Sequence, residues 1–222
     1  MFSGRSTLIV DLDARIAAAT RPDFRGSRTV AEHWRKNDFN WWRAALMENP
    51  SYDEQEQAIK GWLSHWEFNR ILELGPGTGR ITRILQPICT NRLTLVEINK
   101  KFLQQLSQGF PEAQILNGDV TKLTWHHEGP YNLIVAVEIL VHIPDVIQLM
   151  VKIHQALTRP AAQAIVSITP LTWYEANYKG TPTVHRGIDR GEFEQLLSAL
   201  FRTRAVHEST SGQHVSYWLE KK

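Results

Sequence analysis

From Arg70 onward the chain alternates short apolar runs with segments of helical periodicity, and this alternation narrows its possible folds more than any other feature. Runs at Arg70–Leu74, Arg92–Glu97, Gln114–Leu116, Tyr131–Val137 and Ala164–Ile168 read as strands. Between and after them, Gly79–Leu85, Asn99–Gln108, Pro144–Leu157 and Arg190–Phe201 read as helices. Two late runs, Thr203–His207 and Val215–Leu219, are expected to pair as a terminal hairpin. Strands separated by helices make parallel βαβ units. The expected fold class is therefore α/β: a doubly wound, seven-stranded, mostly parallel sheet. Ligands of such sheets sit at the carboxyl ends of the strands, beside the point where the strand order reverses.

The front of the chain has a different character. Residues 28–68 read as helical with a break at Asn49-Pro50, after a loose arm with one short helix around Ala14–Ala19. Trp34 and Trp41 share a helix face, as do Trp62 and Trp66, and five of the eight Trp precede residue 67. The expected organisation is a helical N-terminal lid over 1–67 and one compact α/β unit over 68–222. A chain of 222 residues suits a single such domain.

Composition excludes several classes. The net charge is +2, and Lys and Arg are scattered without a dense run, which argues against a nucleic-acid groove. The single Cys89 rules out an internal disulfide and suits a reducing cytoplasm. The apolar run Leu8-Ile9-Val10 is too short for a signal peptide, and no stretch is long enough to cross a membrane. His and acid spacing shows no metal-ligand set, so no metal is expected; His126 and His127 fall in a surface loop and receive no role.

The first strand runs into Glu73-Leu74-Gly75-Pro76-Gly77-Thr78-Gly79-Arg80. A dinucleotide turn needs Gly-x-Gly-x-x-Gly facing a pyrophosphate. Here the third glycine comes one residue early, and Arg80 stands where that fingerprint requires glycine. Glu73 would repel a pyrophosphate and would suit a ligand carrying an ammonium group. Gly75 and Gly77 allow a ligand close to the backbone.

At these residues the chain resembles the class I, Rossmann-like S-adenosylmethionine-dependent methyltransferases. Their acid-x-Gly-x-Gly-x-Gly motif is matched at every fixed position from Glu73 to Gly79. Three further segments fall in register: Glu97 at the end of the second strand, Asn117-Gly118-Asp119-Val120 after the third, and Val137-Glu138-Ile139-Leu140-Val141-His142-Ile143-Pro144 after the fourth. The resemblance covers about residues 68–220 and implies S-adenosylmethionine as cofactor. It implies that Gly75, Pro76, Gly77 and Gly79 cradle the cofactor and that Glu97, with Ile98 beside it, takes the ribose hydroxyls. Asp119 would bond the adenine amino group, and the Val120 N–H the ring. Each acid also has an ordinary reading: Glu73 as a helix cap, Glu97 as a surface partner of Lys100 or Lys101, Asp119 as a turn residue.

For catalysis, methyl transfer from a sulfonium needs alignment, a dry pocket and, for some acceptors, a base. His142 is the first base candidate, since imidazole titrates near neutrality, and His185 is the second. Glu138 ends the fourth strand and is placed at the methionine part of the cofactor or at the substrate. Trp34, Phe39, Trp41 and Trp42 in the lid, and Trp173, Tyr174 and Tyr178 in the insertion Pro170–His185, could attract a sulfonium through their ring faces, Tyr174 foremost. Arg35 and Arg43 are candidates for the methionine carboxylate.

The expected reaction is methyl transfer to O or N of a small-molecule metabolite, of the kind found in secondary metabolism, by a monomer or homodimer without nucleic-acid or membrane partners. The Asn/Asp-Pro-Pro-aromatic motif of exocyclic-amine nucleic-acid methyltransferases is missing after the fourth strand, where Val137-Glu138-Ile139-Leu140 stands. The alternative is self-cyclisation, in which the cofactor's own amine attacks its γ-carbon to give azetidine-2-carboxylate and methylthioadenosine. Aminopropyl transfer and a role limited to binding are weaker readings.

Overall fold

The structure is a computed structural model that describes residues 32, 34–35, 49–157, 160–178 and 187–222. Seven strands form one sheet in the order β3-β2-β1-β4-β5-β7-β6. β1 (Phe68–Leu74), β2 (Cys89–Glu97), β3 (Gln114–Asn117), β4 (Leu133–Ala136) and β5 (Gln163–Ile168) are parallel. β7 (Val215–Lys221) runs antiparallel between β5 and β6 (Phe201–Glu208). The expected seven-stranded, mostly parallel sheet is present, and its order reverses between β1 and β4.

Helices cover both faces: α1 (Pro50–Leu63), α2 (Thr82–Leu85), α3 (Lys100–Gly109), α4 (Val146–Ala156), α5 (Leu171–Tyr178) and α6 (Arg190–Leu200). The two-residue period of a strand decides which layer each side chain enters. In β4, Leu133 and Val135 face one core with Ile59 and Leu63 of α1, Leu85 of α2 and Phe102 and Leu106 of α3. Ile134 and Ala136 face the other core, with Met150 and Ile153 of α4 and Phe193 and Leu197 of α6. Burying one such large apolar side chain contributes about 1.5–3 kcal/mol.

Helix α1 starts where the sequence signals it. Asn49 caps it by accepting from Ser51 N at 3.0 Å, and Pro50 occupies the first turn, where no N–H is needed. Its inward positions Ser51, Tyr52, Gln55, Ile59 and Leu63 recur at helical spacing, so one stripe faces the sheet.

Three segments differ from the sequence reading. The helix expected from Gly79 begins at Thr82, because Gly79 N bonds Pro76 O at 2.9 Å and residues 76–81 are spent on the turn. The fourth strand is shorter than Tyr131–Val137: Tyr131 makes only an isolated bridge to Leu157, and Glu138 turns out of the sheet with φ 58°. The insertion after the fifth strand carries helix α5, started by Pro170. No helix among the described residues is long and apolar enough to cross a membrane.

Candidate active site

The site is built where β1 to β4 end side by side. Gly75 N bonds Val96 O at 2.9 Å, which pins the start of the glycine-rich turn to β2. The three glycines of the turn have different reasons. A Cβ on Gly75 would stand 2.6 Å from Ile139 Cδ1, and one on Gly79 would stand 2.6 Å from Phe110 Cε2, so both are glycine for packing. Gly77 has φ 53° and nothing within 4 Å of where a Cβ would stand. Positive φ at all three positions (68°, 53° and 77°) favours glycine in any case, and the open space at Gly77 is compatible with close approach by a ligand.

Glu97 closes β2 and is 6% exposed. Oε1 accepts from Ile98 N and Asn99 N, both at 2.8 Å, and Oε2 accepts from Gly77 N at 3.0 Å. The carboxylate thus binds the turn to the β2 end; it does not pair with Lys100 or Lys101 at the surface. Burial pushes its carboxyl above the ordinary carboxylate range, while the three N–H groups oppose that rise. Next in line, Gly118 N bonds Glu97 O at 2.9 Å and sets down Asp119 beside it. Asp119 Oδ1 accepts from Thr121 N at 2.9 Å and Thr121 Oγ1 at 2.7 Å, the turn role open in the sequence, and Oδ2 takes no hydrogen bond among the described residues. Val120 is buried, and its carbonyl accepts from Trp125 Nε1 at 2.7 Å.

Glu73 lies beneath the turn, 3% exposed, and accepts from Thr82 Oγ1 at 2.6 Å. Burial pushes its carboxyl up to about 7, against the pull of the Thr82 bond and of Arg80. It caps no helix through a backbone N–H.

Glu138 is held in the left-handed region, which costs a non-glycine residue roughly 1–2 kcal/mol. The surroundings fix it there. Its N–H donates to Ser167 Oγ at 2.8 Å, and Oε1 accepts from Ser167 Oγ at 2.7 Å and from Gln55 Nε2 at 2.8 Å. Oε2 stands 2.9 Å from His214 Nδ1, a contact of charge more than of ideal hydrogen-bond geometry. Burial would raise the Glu138 carboxyl, but His214, Ser167 and Gln55 outweigh it and bring it down to about 2. A carboxylate so acidic is a fixed anion and a poor base at neutral pH.

His142 closes a short 3₁₀ turn, Leu140–His142, and meets the Trp34 indole edge-on with ring centroids 4.5 Å apart. Trp34 also accepts through its carbonyl from Asn99 Nδ2 at 2.7 Å. Trp34 therefore spans from the end of β2 to the loop after β4. Tyr174 and Trp173 ride on α5, Tyr174 with its Cβ against Gly187 and Trp173 beside Gly212. Arg35 is exposed on the same helical turn as Trp34. His126 and His127 form a 3₁₀ turn with Trp125, and their rings stand 4.1 Å apart. Phe39, Trp41, Trp42, Arg43, His185 and the Tyr178 side chain lie outside the described residues.

Sequence reasoning missed Gln55, Arg80, Ser167 and His214. A signal existed for Gln55: a polar residue on the inward stripe Tyr52, Gln55, Ile59, Leu63 needs a buried partner. Nothing in the linear pattern joins His214 to Glu138.

The turn, the Glu97 carboxylate behind it and the uncluttered face of Gly77 fit a nucleoside-bearing cofactor. Among the described residues no group of His, Cys, Asp and Glu is arranged to hold a metal. Comparison with known proteins agrees. Residues 20–221 match the family model described as a methyltransferase domain. The N-methyltransferase NodS of Bradyrhizobium japonicum WM9, solved with S-adenosylhomocysteine, is similar at 16% identity and TM-score 0.69, over 88% of this chain and 98% of that one. Magnesium protoporphyrin IX methyltransferase of Synechocystis PCC 6803, also solved with that product, is similar at 11% identity and TM-score 0.72, over 89% and 100%. The 1,6-didemethyltoxoflavin N1-methyltransferase of Burkholderia thailandensis follows at 17% and 0.66, over 91% and 93%. Among curated proteins, ribosomal RNA small subunit methyltransferase A of Malacoplasma penetrans is 41% identical over 54 residues, so the match spans 24% of this chain and only 20% of that relative. The chain belongs to the methyltransferase-domain family, and its fold is the Rossmann-like fold of these solved methyltransferases.

Proposed function

We propose that this protein methylates an oxygen or nitrogen of a small-molecule metabolite. The observation that carries the reading is Trp34, tied to Asn99 at one end of the cleft and set edge-on against His142 at the other. A residue fastened at both of these points would cover a compact acceptor more readily than a folded RNA. The solved relatives point the same way: one is a magnesium protoporphyrin IX methyltransferase, and another was solved with 1,6-didemethyltoxoflavin bound.

In this reading Glu97 takes the ribose hydroxyls, with Ile98 and Pro76 lining its approach. Asp119 and the Val120 N–H take the adenine edge, and Gly75, Gly77 and Gly79 shape the turn. Glu73 sits behind the turn as an acid that ionises near pH 7. The cofactor, when bound, supplies an electrophilic methyl group. The chain aligns the acceptor with it, excludes water beneath Trp34, and receives the acceptor's proton at the His142 imidazole where the acceptor carries one. Glu138 stays ionised and steadies the ammonium end of the site. Tyr174, on α5, lines the acceptor side.

The test is mass spectrometry of the nucleoside product after incubation with S-adenosylmethionine, alone and with a panel of small hydroxylated and amine acceptors. S-adenosylhomocysteine formed only with an acceptor supports the reading. Methylthioadenosine formed without one would sink it in favour of self-cyclisation, which no observation on the site favours.

A further inference from the structure

Gln55 is completely buried, yet it carries no apolar role. Its amide is held from three sides. Oε1 accepts from Arg80 Nη2 at 2.6 Å, while Nε2 donates to Glu138 Oε1 at 2.8 Å and to Ser216 Oγ at 3.1 Å. Arg80 can only donate and the Glu138 carboxylate can only accept, so the amide has one permitted orientation. These partners come from separate elements. Arg80 directly follows Gly79 of the glycine-rich turn and also donates to Tyr52 O at 3.0 Å. Glu138 follows β4 and Ser216 lies in β7. Four further bonds or ring contacts fasten the same stretch of chain to the β6–β7 hairpin: Asn49 to Gln213, Ser51 to Ser211, Glu54 to Thr210, and the Tyr52 ring to His214.

We propose that Gln55 is a positioning residue of the cofactor cleft: it couples the glycine-rich turn, through Arg80, to Glu138 at the end of β4, so that cofactor binding and docking of α1 favour each other. The inference rests on the cofactor reading above. It assigns a binding role to a helix that precedes the first strand and carries none of the glycine-turn motif. The coupling is reciprocal: whatever loosens α1 weakens the cofactor, and the bound cofactor protects α1.

The test uses the full-length protein with S-adenosylhomocysteine as probe, by calorimetry at pH 8 and pH 5.5, with hydrogen exchange of α1 read in parallel. Gln55→Leu removes all three bonds, and its affinity is expected to fall at least about tenfold at both pH values. Gln55→Glu sets a second carboxylate against Glu138. At pH 8 the two repel, and affinity falls by about tenfold or more relative to wild type. Burial and the Glu138 charge raise the introduced carboxyl while Arg80 opposes the rise; with the first two dominant it binds a proton by pH 5.5, donates to Glu138 as the amide did, and affinity returns to within about threefold of wild type. The charged and titratable groups facing this point are Arg80, Glu56, Glu138 and His214, with Glu73 acting on Arg80. They are common to both proteins, so the variant-to-wild-type ratio isolates position 55. Wild-type α1 gains exchange protection when the probe binds, and Gln55→Leu loses that gain.

A pH-independent deficit in Gln55→Glu would mark Gln55 as structural packing and overturn the coupling, and this holds even if Gln55→Leu fails to fold. Affinities within about threefold of wild type for both variants at both pH values overturn it as well. Failure of the wild type itself to bind the probe removes the cofactor reading and the coupling together, an outcome distinct from either of these.

Discussion

Asn99 joins Trp34 to the start of α3: its Nδ2 donates to the Trp34 carbonyl at 2.7 Å while its Oδ1 caps α3 through Lys101 N and Phe102 N. The two halves of one amide do separable work, and substitution distinguishes them. Asn99→Ser keeps a capping oxygen without burying a charge beside Glu97 and is expected to leave stability nearly unchanged. Asn99→Ala loses the cap, at about 1 kcal/mol. Both lose the tie to Trp34, and both are expected to weaken S-adenosylhomocysteine by roughly two- to tenfold, the value of one hydrogen bond. Denaturant unfolding and calorimetry on the pair check this. Unequal loss of affinity would assign the effect to the cap.

The glycines of the turn separate packing from ligand approach. Gly77→Ala meets open space but sits at φ 53°. It is expected to lose roughly 1–2 kcal/mol of stability to strain. Its cofactor affinity should fall much further, by about a hundredfold, since the methyl group occupies the approach. Gly79→Ala drives a methyl group against the buried Phe110 ring. Overpacking of that kind costs about 1–3 kcal/mol beyond the strain, so stability suffers more than at Gly77. Melting curves beside titrations read both effects.

Glu73 makes stability depend on pH. Its carboxyl ionises near 7 in the folded chain against an ordinary 4.5. Between those values the native state binds more protons than the unfolded chain, so stability falls as pH rises from 4.5 towards 7 and stays lower above it, by about 3 kcal/mol at full effect. Glu73→Gln keeps an acceptor for Thr82 and removes the buried charge. Its melting temperature is expected to exceed wild type at pH 8 and to match it near pH 4.5. Equal curves at both pH values would refute the assignment of the penalty to Glu73.

Glu97 is a structural hub as well as a ribose candidate. Glu97→Ala leaves the N–H groups of Gly77, Ile98 and Asn99 without their acceptor. Each buried donor left unpaired costs about 1–3 kcal/mol, so this variant should unfold at clearly lower denaturant and bind no cofactor. Glu97→Gln keeps one oxygen for Ile98 and Asn99 but turns an NH2 group towards Gly77. It is expected to fold while losing most cofactor affinity. Wild-type affinity in that variant would remove Glu97 from the site.

Much of the site was legible because its logic is local. Glu73 to Gly79, Glu97 and Asp119 lie directly at strand ends, and a parallel sheet brings consecutive strand ends together whatever the packing details. Sequence gave no access to partners that meet only through the antiparallel strand. His214 reaches Glu138 because β7 is inserted between β5 and β6, so that Ile168 pairs with Val215 and Ser167 with Ser216. Gln55 reaches Glu138 and Ser216 because α1 folds back over the same strand ends.

The sequence by itself determined the alternation of strands and helices, the glycine-rich turn and the acids that follow β2 and β3, since each depends on neighbours a few residues apart. Tertiary structure alone decided why each glycine is a glycine. It decided that Glu73 ionises near pH 7 while Glu138 is held ionised, and that Trp34 bridges Asn99 and His142. Charge state and close contact depend on burial and on partners 83 residues away and more, as Gln55 is from Glu138 and from Ser216. Linear spacing carries no record of either.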